Sequence, residues 1–167
     1  DTGLLYRAVG MSVLAAGGDL DDGAFAGEVA RNLDLSGLSE DESLTTGEAG
    51  EAASRVASHA AVRAALLTLQ RDFAAQQGGA VLDGRDIGTV IVPDASAKLF
   101  VTATAEVRAE RRWKQLTARG IEISFEDMLA DIRKRDARDA GRDSAPMVQA
   151  QDAVLLDTTS LGIEAAF

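Results

Sequence analysis

The sequence predicts an α/β fold on a mainly parallel sheet. Three short apolar runs, 80–82, 97–102 and 153–156, read as buried strands, and each is separated from the next by segments of helical periodicity. Glycine or proline punctuates the boundaries, as at Gly78-Gly79, Pro93 and Gly120. A length of 167 residues with 46% hydrophobic and 26% charged residues suits one globular domain over 1–167, large enough to bury a core.

Taken in order, Leu4, Leu5, Val9, Val13 and Leu14 form one face of a first helix, which Gly17-Gly18 stops. That helix begins directly after Asp1-Thr2-Gly3, so the N-terminus reads as cut. A second short helix is expected over 23–33. Residues 34–50 are acidic and polar and read as a loop or mobile subdomain. Helices follow over 51–58 and 61–77, the second carrying Val62, Leu66, Leu69 and Phe73 at helical spacing. Strand 80–82 leads into Asp83-Gly84-Arg85-Asp86, and strand 97–102 into an arginine-rich helix over 106–119. Ser124 is the expected N-cap of a helix whose apolar face is Phe125, Met128, Leu129 and Ile132. Strand 153–156 precedes a helix that the chain end interrupts.

Composition removes several functions. A net charge of −10 argues against nucleic acid and anionic membranes as partners. Aromatic residues at 4% leave little for a base-stacking platform. The absence of cysteine excludes disulfides and suits a reducing cytoplasm, where the protein is expected. With His59 as the one histidine, a Ser-His-Asp hydrolase and a histidine metal site are set aside, and no metal ligands are assigned. His59 is expected at a helix junction without a catalytic role. No G-x-x-x-x-G-K-[ST] loop and no helix-opening G-x-G-x-x-G occurs in the 167 residues.

Two segments concentrate charge. Asp83-Gly84-Arg85-Asp86-Ile87-Gly88-Thr89-Val90 follows a strand and so belongs at its carboxyl end, where open α/β sheets bind ligands. The alternative is a glycine turn with a structural ion pair. Farther on, Arg135, Arg138, Asp139 and Arg142 fall at i, i+3, i+4 and i+7 and share a helix face. Spacing alone favours a solvated face of Arg–Asp pairs there. Arg108, Arg111 and Arg112 either cover a surface or clamp an anion.

Taken together, these segments resemble the cytidylate kinase family. Asp1-Thr2-Gly3-Leu4-Leu5-Tyr6-Arg7 is similar to its D-[ST]-G-x-x-Y-R, and 83–90 to its D-G-R-D-x-G-T-V. Arg135-Asp136 through Arg142-Asp143-Ser144-Ala145-Pro146 resembles its R-D-x-x-D-x-x-R with a trailing A-P. The resemblance implies a parallel-sheet P-loop nucleoside monophosphate kinase fold, with a CMP-side subdomain over 19–60 and a lid over 111–143. It implies phosphoryl transfer from ATP to CMP or dCMP, helped by magnesium, in a monomer. Ser54, Arg63 and Asp86 would face cytosine. Thr2, Arg7, Arg85 and Arg142 would hold the CMP phosphate, and Arg135 and Asp139 would reach the ribose. Arg85, Arg135 and Arg142 are the expected catalytic arginines, and Arg111 would lie against adenine. In the family a first strand, a phosphate-binding loop and a first helix precede the residue matching Asp1. The chain is therefore expected to be a fragment, inactive as it stands and cut again within its last helix. Leu44-Thr45-Thr46 departs from relatives that carry an arginine there. A non-catalytic protein that retains only the CMP pocket is the alternative.

Overall fold

The computed structural model describes residues 1–141 and 145–166, and its first half is an assembly of four helices. These are α1 (Gly3–Ala15), α2 (Gly23–Arg31), α3 (Gly47–Val56) and α4 (Ala60–Ala74). Val9 and Val13 lie one turn apart on α1 and are fully buried, as are Val56 and Val62, with Leu66 almost so. Alanines fill the rest of this core, among them Ala26, Ala30, Ala52 and Ala53. Small side chains let the helices come close. A Cβ on Gly10 would sit 2.7 Å from Ala52 Cβ and 2.9 Å from the Ala52 carbonyl carbon. Gly10→Ala must therefore push α1 off α3. We expect it to cost about 1–3 kcal/mol, read as a lower urea midpoint at unchanged slope.

Capping sets where these helices begin. Asp22 accepts hydrogen bonds from Ala24 N and Phe25 N at the start of α2. Thr46 Oγ1 accepts from Ala49 N, so α3 starts at Gly47, earlier than the 51 expected from sequence. The polar stretch before it also has local structure, a 3-10 turn over Glu42–Thr45 that Asp41 caps. His59 stands at the N-terminus of α4, a helix junction as expected, and its Nε2 lies 2.8 Å from Leu20 O.

The second half holds a two-stranded parallel sheet, β1 (Leu99–Thr102) beside β2 (Val154–Asp157), with Leu99 opposite Val154 and Thr102 opposite Asp157. The run at 80–82 is not a strand, against expectation. A strand exists through its ladder, and among the described residues no backbone hydrogen bond pairs this run with β1 or β2. Val81 is 93% exposed as a result. Leu99, Val101 and Val154 are also largely exposed.

Between the strands, α5 (Ala105–Thr117) and α6 (Phe125–Ala140) pack as a helical hairpin, and α7 (Ile163–Ala166) closes the chain. Ser124 caps α6 through Asp127 N, as the sequence predicts. The Trp113 and Phe125 rings meet edge to face at 6.5 Å. Arg108 forks onto Asp136 with bonds of 2.8 and 2.6 Å, and that hydrogen-bonded guanidinium holds the Asp136 carboxyl below its usual pKa. A depressed folded pKa gives stability that is present above the unfolded carboxylate value and is lost as pH falls through the folded one. Asp136→Asn should thus lower stability by about 1 kcal/mol at neutral pH, the pair being about one-third exposed. The gap between the two proteins should close in acid, which melting curves across pH measure.

No helix among the described residues is long and apolar enough to cross a membrane.

Candidate functional site

The turn at 83–86 is held from two sides. Thr2 N and Thr2 Oγ1 both donate to Asp83 O, at 3.0 and 2.8 Å, tying the start of α1 to the turn. Gly84 lies against that tie, since a Cβ there would fall 2.3 Å from Thr2 Oγ1. Asp86 O then accepts from Ile91 N at 3.3 Å and Ile87 O from Val92 N at 2.8 Å, the bonds of a single π-helical turn over Ile87–Ile91. The Arg71 guanidinium of α4 donates to Val90 O and Ile91 O at 3.1 Å each. Braced this way, Asp86 points its carboxylate inward.

Its partner is Arg63 of α4. The two form an ion pair in which the residues are 6% and 9% exposed. The Arg63 guanidinium carbon also stands 5.9 Å from the centre of the Tyr6 ring. Taking two charges out of water is costly and adds little stability by itself.

A second buried carboxylate gathers the other candidates. Asp139 is 2% exposed and lies on α6. Ser54 Oγ of α3 is 3.5 Å from its Oδ1, while Arg85 Nε and Arg135 Nε are 3.3 and 3.9 Å from its Oδ2. Gly50 of α3 lies beside both arginines, since a Cβ there would stand in ordinary contact with Arg7 Nη1 at 3.4 Å and Arg135 Nη1 at 3.7 Å. Arg7 Nη1 donates to Leu44 O at 3.0 Å and to Thr46 O at 3.2 Å. Burial first, and then the nearby Arg85 charge, lower the Arg7 pKa. Like charges brought this close, in a half-buried place, are a setting an anion would relieve.

Thr2, Arg7, Ser54, Arg63, Arg85, Asp86, Arg135 and Asp139 therefore line one cavity of about 1090 Å³, although the sequence scatters them over almost the whole chain. Val81, Leu82, Leu99 and Val101 add apolar side chains to its lining. Arg111 does not line this cavity. It lies on α5 and donates to Thr158 Oγ1, Thr158 O and Leu161 O beyond β2. Arg142 lies outside the described residues. Sequence reasoning missed Tyr6 as a support for Arg63, and Arg71 as a brace for the turn. Tyr6 had a signal, standing beside Arg7 in the first motif, whereas Arg71 sits in an unremarkable alanine-rich helix.

Comparison with known proteins gives the family. The family model described as Cytidylate kinase matches residues 1–166. A cytidylate kinase of Caulobacter vibrioides is 65% identical over the whole of this chain, which covers 78% of that relative. Cytidylate kinases of Xanthobacter autotrophicus and Azorhizobium caulinodans are each 64% identical over the whole chain, covering 79% and 80% of those proteins. With its helices and parallel sheet, the chain belongs to the cytidylate kinase family and its P-loop nucleoside monophosphate kinase fold.

Proposed function

We propose that this chain carries the acceptor site of a kinase that transfers a phosphoryl group from ATP to CMP or dCMP, giving CDP or dCDP and ADP. One observation carries the residue assignment: a buried guanidinium–carboxylate pair, Arg63–Asp86, lines the same cavity as Arg7 and Arg85. Cytosine offers an amino donor beside ring acceptors, which a carboxylate and a guanidinium complement together. Uracil reverses the donor and acceptor at those two positions. Ser54 adds a hydroxyl next to the base. Thr2, Arg7, Arg85 and Arg142 receive the phosphate, and Arg135 and Asp139 the ribose. Transfer needs positioning and charge neutralisation more than a covalent nucleophile, so Arg85, Arg135 and Arg142 serve by stabilising the charge that moves between the phosphates.

Residues 19–60 act as the CMP-side subdomain and 111–143 as the lid, with Arg111 toward the adenine of ATP. Among the described residues no three His, Cys, Asp or Glu side chains converge to hold a metal ion. Magnesium is in any case held mainly by substrate phosphates and water with one or two protein oxygens, so it would enter with ATP, and no step is assigned to it. We read the protein as a monomer of the cytoplasm, which the lack of cysteine favours.

No glycine-rich loop ending in Gly-Lys lies within the 167 residues, so the cradle for the ATP phosphates is not among them. The test is ADP release with CMP, dCMP, UMP and AMP as acceptors. It compares the 167 residues alone with the same residues preceded by a phosphate-binding loop. Turnover confined to the longer chain and to the cytosine nucleotides is expected. Comparable CMP-dependent turnover by the shorter chain would require a second ATP site, and equal use of UMP would refute the base assignment.

A further inference from the structure

An inner and an outer polar rung join α3 to α6 beside the cavity. The inner one, Ser54 Oγ to Asp139 Oδ1, is buried and stretched to 3.5 Å, too long to hold two helices in register. The outer one is a fork. Arg138 Nη1 and Nη2 donate to the two carboxylate oxygens of Glu51 at 3.1 and 2.7 Å, and Lys134 Nζ stands 3.9 Å from Glu51 Oε1. Glu51 is one helical turn before Ser54 on α3, and Arg138 is the residue before Asp139 on α6. Here α6 presents Arg135, Arg138 and Asp139, all charged, so apolar packing between these side chains does not set the spacing. Charge-assisted two-point bonds do so with fixed geometry. The Arg138 hydrogen bonds also keep Glu51 ionised below the usual carboxylate range.

We propose that the Glu51–Arg138 fork is a positioning pair for the acceptor nucleotide. It fixes the separation of α3 and α6 and so holds Ser54, Arg135 and Asp139 where they receive CMP. The inference rests on the cytosine-nucleotide reading of the cavity. Neither residue lines the cavity, so the effect should fall mainly on CMP use and leave ATP affinity alone.

The experiment is steady-state kinetics on an active kinase carrying these residues, as the variants E51Q, R138Q, R138K and E51Q/R138Q, with D86A alongside. Each glutamine variant should raise the KM for CMP roughly fivefold and lower kcat by less than that, through Arg135, with the KM for ATP within about twofold of the parent. The double variant should be no worse than the worse single one, because the same bonds are lost once. R138K, which keeps the charge without the fork, should fall between. Glu51 is half exposed, so melting temperatures should remain near the parent's and separate this effect from unfolding. An unchanged KM for CMP in a folded E51Q, or losses that add in the double variant, would overturn the proposal. A loss in D86A without one in E51Q removes only the fork, whereas an unaffected D86A removes the cytosine reading beneath it.

Discussion

Asp86→Ala, in an active kinase carrying these residues, is expected to lower kcat/KM for CMP roughly hundredfold, about 3 kcal/mol, and to leave the KM for ATP nearly unchanged. The substitution leaves the buried Arg63 charge without its carboxylate and removes the acceptor proposed for the cytosine amino group. Part of the cost falls on the folded state, so Asp86→Asn is the sharper variant. Its amide keeps the shape and can donate as well as accept, which suits uracil better than a carboxylate does. The ratio of kcat/KM for CMP to that for UMP should therefore fall in Asp86→Asn. A ratio equal to the parent's in a folded protein would make the Arg63–Asp86 pair structural.

The second large effect is expected at Arg85. Its Nε reaches Asp139 Oδ2 at 3.3 Å, and its side chain is 39% exposed, which leaves the guanidinium open to the cavity. Arg85→Lys keeps the positive charge and loses the planar fork, so it should not act as a conservative change. CMP affinity should drop roughly tenfold to hundredfold, matching one to two charge-assisted hydrogen bonds. Cytidine, which has no phosphate, should bind the variant and the parent alike. Equal losses for cytidine and CMP would assign Arg85 to holding Asp139 in place rather than to the phosphate.

Local features of the fold were legible where a single element determines them. The faces of α1 and α4 follow from Val9, Val13, Val62 and Leu66 at helical spacing, and Ser124 is an N-cap that needs no tertiary partner. The run at 80–82 was not legible, because an apolar tripeptide becomes a strand only when a neighbouring backbone pairs with it. The start of α3 was missed because Thr46 supplies a cap that the acidic, glycine-containing surroundings conceal. In the site, Arg135 and Asp139 share a helix face as their spacing requires. The pairing of Arg63 with Asp86 joins a helix to a turn 23 residues away, and that of Ser54 with Asp139 spans 85 residues. Periodicity carries no information at such separations, and the resemblance to a family was what connected them.

The most direct measurement is a calorimetric titration of an active kinase carrying these residues with CMP, UMP and cytidine in the same buffer. CMP should bind at least about tenfold more tightly than either of the others, since UMP mismatches Arg63–Asp86 and cytidine forgoes Arg7 and Arg85. UMP binding as tightly as CMP would contradict cytosine recognition by the buried pair. Cytidine binding as tightly as CMP would contradict the phosphate role of the arginines.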